Sequence, residues 1–284
     1  MSVTIATWNI NSLRLRARLV GRFLDRHRPD VLCLQEIKTP EQFFPYAMFR
    51  RRGYDHILVN GQKGYHGVAI ISKRPFTATA TRGFCNKGDS RHASVILPDG
   101  DGDILLHNFY VPAGGDEPDP AVNPKFAHKL AFLEEMRLWL TGAETDRRAI
   151  LVGDLNVAPE VNDVWSHRQL LRVVSHTPVE TENLERIRAA GGWVDALRRF
   201  VPPEEKLYTW WSYRAPDWRK ANKGRRLDHI WVTPHLADRL EGIEIVAAAR
   251  GWARPSDHVP VIARLASHEV TRRPDSVATV QPAL

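Results

Sequence analysis

The chain has 284 residues, ample for one large core, with 43% apolar and 26% charged residues. Its net charge of +7 and pI near 9.6 favour polyanionic partners, although a basic enzyme with no nucleic-acid partner would carry the same charge. Two cysteines and the lack of any apolar run of membrane length exclude a disulfide scaffold, a cysteine metal cluster and a membrane span, and set a reducing cytoplasm as the expected location.

Val3 to Trp8 alternates and reads as a strand that ends at Asn9-Ile10-Asn11-Ser12. Leu15, Leu19 and Phe23, with Val20 and Leu24 beside them, predict a helix apolar face. Arg14, Arg16, Arg18 and Arg22 fall elsewhere around that helix and read as a solvated face. Pro29 stops it, and Asp30 to Leu34 forms a second strand ending at Gln35-Glu36, with Cys33 as a buried thiol. Gly67 to Ser72, Arg91 to Leu97 and Ile104 to Val111 are the next strands. Four prolines and two adjacent glycines make 112–124 a loop, followed by a helix on Phe126, Leu130, Leu133 and Leu140. Ala149 to Val152 is an apolar run stopped by Gly153-Asp154-Leu155-Asn156. The region 157–192 is loop and helix with weak periodicity, and 208–213 is dense in aromatics. Leu227 to Val232, Ile243 to Ala249 and the alternating Val259, Val261, Ala263 and Leu265 complete the strands. Hairpin-scale spacings among interleaved helices predict a mixed sheet arrangement covered by helices, in one domain over residues 1–266. The polar stretch 267–284 reads as a disordered tail.

Asn9, Glu36, Asp154, Asn156, Asp228, Asp257 and His258 each stand at a strand end. One such residue is commonly an Asx turn or a satisfied structural histidine; several suggest a shared rim. Carboxylates without a Cys/His cluster suit a hard cation, with Glu36 and Asp257 as the natural ligands. His258 in a Ser-Asp-His corner, oriented by a carboxylate such as Asp228, can stabilise a pentavalent phosphate or move a proton. There is no nucleophile elbow, Walker A or GxGxxG loop, so metal-assisted attack of water on a phosphoester is the expected reaction.

The ordered set Trp8-Asn9-Ile10-Asn11, Leu34-Gln35-Glu36-Ile37-Lys38, Gly64-Tyr65-His66-Gly67, Asn108-Phe109-Tyr110-Val111-Pro112, Gly153-Asp154-Leu155-Asn156, Leu227-Asp228 and Ser256-Asp257-His258 resembles the exonuclease III/AP endonuclease family. That family belongs to the endonuclease/exonuclease/phosphatase superfamily. The resemblance implies a four-layer α/β sandwich, two packed mixed β-sheets flanked by helices. It implies cleavage 5′ to abasic sites in double-stranded DNA and 3′→5′ trimming of 3′ ends, with Mg²⁺ or Mn²⁺, by a monomer. By that resemblance Glu36 is the main metal ligand, supported by Asn9 and Asp257. Asp154 handles the attacking water, Asn156 holds it and the phosphate, and Tyr110 contacts the phosphate or leaving oxygen. His258, paired with Asp228, stabilises charge; Arg91 contacts the DNA backbone; Trp210 and Leu227 line a pocket for the extruded sugar. Asn11, where some members carry Asp, Arg225, where some carry an aromatic, and the acidic loop 113–124 depart from the family pattern. The alternatives are a superfamily phosphoesterase acting on a non-DNA phosphoester and a non-catalytic DNA-binding relative.

Overall fold

The side chains of a strand alternate between two faces, and in this chain both faces are apolar, which requires cover on both sides. A computed structural model describes residues 2–100, 102–143, 147–215 and 217–267. The expected tail at 267–284 lies, from residue 268 onward, outside the described residues. The strands are β1 (Val3–Asn9), β2 (Val31–Gln35), β3 (His56–Asn60), β4 (Val68–Ser72), β5 (Ala78–Thr81), β6 (His92–Leu97) and β7 (Ile104–Tyr110). Then follow β8 (Ala149–Asp154), β9 (Val194–Asp195), β10 (Trp210–Trp211), β11 (Gly224–Arg225), β12 (Asp228–Val232), β13 (Leu240–Ile245) and β14 (Val261–Leu265).

Two six-stranded sheets result, in the orders β13-β14-β1-β2-β4-β3 and β5-β6-β7-β8-β12-β9, with a small β10-β11 ribbon beside them. The pairs β1·β2 and β7·β8 are parallel and the other pairs antiparallel, so both sheets are mixed. Ile5, Val31, Cys33 and Ile70 meet Val95, Leu106, Ile150, Val152 and Ile230 in the core between the sheets. The alternate residues Ala6, Trp8, Leu32 and Ile71 pack on the helix Leu13–His27 and its neighbours. On the other sheet Phe109, Leu151 and Trp231 pack on the helices Pro124–Ala143 and Pro178–Ala190. Helix, sheet, sheet, helix is the four-layer sandwich.

Three local expectations change. Leu15 is 72% exposed; the buried face of the first helix is Leu13, Val20, Phe23 and Leu24. Of its arginines Arg14, Arg18 and Arg22 are exposed as expected, while Arg16 is half-buried and donates to Pro255 O and to the Tyr213 hydroxyl. The expected strand 243–249 spans Leu240–Ile245 instead and gives way to a 3₁₀ turn at Ala247–Gly251.

Burial also sets an acid limit on stability. The His229 ring is fully buried and lies between Arg226 Nη1 at 3.3 Å and Val157 O at 2.9 Å. Desolvation, then the Arg226 charge, lower it from 6.5 to about 4. The unfolded chain therefore binds the extra proton across that window, and stability falls as pH drops from 6.5 towards 4. This site is expected to contribute on the order of 3 kcal/mol to the loss. Urea unfolding of His229→Gln should show a flatter acid limb; an unchanged slope would remove His229 from the account.

Candidate active site

The inner-face alternation of four strands runs on past the apolar core into polar residues. Asn9 follows Ile5 and Thr7; Tyr110 follows Leu106 and Asn108; Asp154 follows Ile150 and Val152. Asp228 precedes Ile230 and Val232, and because β12 is antiparallel to β8, it sits opposite Asp154. The same period that builds the core thus places these groups at one end of the space between the sheets. Just below them Gln35 Nε2 donates to Thr7 Oγ1 at 2.9 Å and to Asn108 Oδ1 at 2.7 Å, tying the two sheets through an amide layer. Gly153 is obligatory at the corner: its φ is +143°, and a Cβ there would lie 2.0 Å from the Phe109 carbonyl oxygen.

One hydrogen-bonded group gathers most of the expected residues. Asn9 Nδ2 donates to Glu36 Oε1 and to Asp154 Oδ2, both at 2.8 Å. The Tyr110 hydroxyl donates to the same Glu36 oxygen at 2.9 Å. Asn156, in the left-handed region at φ +53°, donates its backbone N–H to Asp154 Oδ1 and its Nδ2 to Val111 O and Asp154 Oδ2. His258 Nδ1 lies 2.8 Å from Asp228 Oδ2, and its Nε2 faces Asp154 Oδ2 at 3.6 Å.

Asp257 stands to one side: Asn11 Nδ2 donates to its Oδ1 at 3.1 Å and Trp210 Nε1 to its Oδ2 at 2.9 Å. Trp210 is half-buried, and Leu227 is buried in a small cluster with Ala158, Val164 and Leu170. Trp211 instead belongs to the core beneath the first helix. Arg91 is mostly buried, paired with Asp89 at 2.9 Å and set over the Tyr110 ring at 4.9 Å.

Two partners escaped the sequence reading. The Lys38 ammonium bridges Glu36 Oε2 at 2.8 Å and Asn11 Oδ1 at 2.7 Å. Thr209 Oγ1 donates to Asp228 Oδ2 at 2.6 Å and accepts from the Leu227 and Asp228 backbone amides. Lys38 closes the Leu-Gln-Glu-Ile-Lys run, so its nearness to Glu36 was available as a signal; Thr209 acts across distant segments and left none.

The electrostatics separate two halves. Burial opposes charge on His258, yet the carboxylates of Asp228 and Asp154 outweigh it and push the imidazolium up to about 10. Burial, with the Asp228 charge adding to it against His258, raises Asp154 to about 7. Burial, then Glu36 and Asp154, hold the Tyr110 phenol well above its usual value. Burial raises Glu36, but Lys38 and the Asn9 hydrogen bond more than offset it and keep the carboxylate charged.

Among the described residues, one trio of metal-capable groups has ligand atoms within 4.8 Å of one another: Asp154, Asp228 and His258. The carboxylates of that trio push its imidazolium up and Asp228 engages its Nδ1, an arrangement suited to anion and proton handling. Glu36, by contrast, meets the Asn9 amide nitrogen, the Tyr110 hydroxyl and the Lys38 ammonium, so its carboxylate already holds a positive charge, and its side chain is 18% exposed. The Glu36 carboxylate and the Asn11 carboxamide oxygen, both on that ammonium, are the oxygens that would fit a hard divalent cation.

Residues 6–258 match the Endonuclease/Exonuclease/phosphatase family. Over 265 residues the chain is 31% identical to the exodeoxyribonuclease III of Haemophilus influenzae, covering 90% of this chain and 97% of that one. It superposes on the structure of an AP endonuclease from Archaeoglobus fulgidus with a TM-score of 0.84 at 34% identity, covering 92% and 98% of the two chains. It also superposes on a 3′ phosphatase, NExo from Neisseria, bound to a product DNA hairpin, with a TM-score of 0.84 at 29% identity, covering 93% and 99%. These likenesses make the chain a member of the endonuclease/exonuclease/phosphatase family, in its exonuclease III/AP endonuclease branch.

Proposed function

We propose that the protein is a Mg²⁺-dependent DNA-repair nuclease. Its reactions are hydrolysis of the phosphodiester 5′ to abasic sites in duplex DNA and removal of nucleotides and blocking groups from 3′ ends. One observation carries the reading: a charged imidazole, a carboxyl raised to about 7, a carboxylate that holds the Lys38 ammonium and a phenol converge at one end of the inter-sheet space.

Glu36 would hold the ion, with Asn9 and Asp257 beside it, and the ion supplies Lewis-acid polarisation of a phosphoryl oxygen. Asp154 takes the proton of the attacking water; a carboxyl near 7 is matched to that task. Asn156 and Asn9, hydrogen-bonded to Asp154 Oδ2, fix the direction of its free lone pairs. His258 remains an imidazolium against Asp228 and offers its Nε2 proton to the charge that builds on phosphorus oxygens. Tyr110, kept protonated, donates its hydroxyl within the same group. The +7 surface attracts the duplex backbone.

Arg225 weights the balance towards 3′-end work. Its guanidinium lies 5.3 Å from the Trp210 ring centroid and is anchored on Val174 O and Ser175 Oγ. A pocket beside Trp210 would therefore have a cationic wall, favouring an occupant with phosphate or base acceptors over a bare sugar.

A 5′-labelled duplex bearing one abasic analogue, run beside an undamaged duplex with Mg²⁺ or EDTA, tests this. Metal-dependent cutting beside the lesion, or trimming from the 3′ end of both duplexes, is expected. Intact duplexes with both Mg²⁺ and Mn²⁺ would refute a DNA substrate and turn attention to other phosphoesters.

A further inference from the structure

The corner that carries Asp154 and Asn156 rests on a buried lysine. Lys129, on the helix Pro124–Ala143, has a side chain with no exposure, so it cannot touch a substrate. Its ammonium donates to Asn156 O at 2.7 Å and reaches Ala113 O at 3.4 Å. It pairs with Glu180 Oε1, itself without exposure, on the helix Pro178–Ala190. Glu180 in turn accepts from the backbone N–H and hydroxyl of Thr177 and from the Ser175 N–H, and Ser175 O accepts from Ala158 N, two residues beyond Asn156. Even the lysine stem is accommodated: Gly114, at φ +89°, would place a Cβ 2.9 Å from Lys129 Cδ.

A buried ion pair is a poor route to stability, because apolar residues of similar size do as well. What an apolar residue would not supply is a donor to the Asn156 carbonyl. That carbonyl belongs to a left-handed, non-glycine residue, a conformation that persists only when its surroundings hold it.

We propose that Lys129, held in place by Glu180, is a positioning residue for the Asp154–Asn156 corner. Its ammonium fixes the Asn156 carbonyl and so sets the angle at which the two side chains meet the scissile phosphate. The inference rests on the nuclease reading above for what the corner does.

Lys129→Met alone strands the Glu180 charge and is expected to lower the melting temperature. The double variant Lys129→Met/Glu180→Gln removes both charges and separates the roles. Its melting temperature should return close to the parent value, while kcat stays down about 10- to 100-fold with KM little changed. Hydrogen exchange of residues 153–158 should rise about tenfold, reporting local opening without global unfolding. If the double variant regains both melting temperature and kcat, and its exchange matches the parent, the pair is structural only and the proposal fails. Glu180→Gln, which keeps the lysine but loosens its anchor, covers the case in which the double variant does not fold. It should lower kcat several-fold and raise the same exchange, and no change in either would overturn the proposal. If the parent protein cuts no DNA, the nuclease reading fails while the exchange measurement still decides the clamp.

Discussion

Asp154→Asn should slow single-turnover cleavage by about 10³- to 10⁴-fold and leave duplex affinity within about twofold. The substituted amide keeps the size of the carboxylate and its oxygen can still accept from Asn9 Nδ2, although its NH2 replaces the oxygen that accepts from the Asn156 N–H. What is lost is the ability to take a proton from water, together with one of the charges that keeps His258 protonated. Little of this bears on binding, since Asp154 is only 1% exposed. Rapid-quench rates and fluorescence anisotropy on the same duplex separate the two quantities. A rate within tenfold of the parent would exclude Asp154 as the base.

Glu36→Gln should act on the cation first. The substitution removes a charge from the niche shared with Lys38 and Asn11 but preserves an acceptor for the Tyr110 hydroxyl and for Asn9. The Mg²⁺ concentration for half-maximal rate is expected to rise about 10- to 100-fold, with a lower rate at saturation. Calorimetric titration of Mg²⁺ into the DNA-free protein should show the same weakening, independently of turnover. Identical titration curves for parent and variant would mean that the ion is held elsewhere.

Much of this rim was legible in the sequence because both faces of its strands are covered. An apolar run that stops at Gly153-Asp154, or at Gln35-Glu36, marks where a central strand leaves the core, and that is where the polar groups meet. Edge strands have no such mark. Ala78–Thr81 is exposed along its whole length and His56–Asn60 is only half-buried, so neither shows a two-sided apolar pattern. The first helix misled at one residue. Arg16 departs from helical geometry at φ −119° and ψ 16°, so Leu19, Val20, Phe23 and Leu24 face the core as their spacing predicts while Leu15, before the break, does not. Contacts such as Thr209 with Asp228 or Asn11 with Asp257 join segments 19 and 246 residues apart, and no local pattern encodes them.

The pairing of β1 with β14, Val3 against Leu265, also governs when the enzyme comes into being. Trp8 Nε1 donates to His258 O and Ser256 Oγ donates to Asn9 O, contacts spanning 250 and 247 residues. A ribosome must therefore release the chain through residue 265 before the rim closes. Until then the nascent chain lacks its imidazole and the strand that seats Asn9.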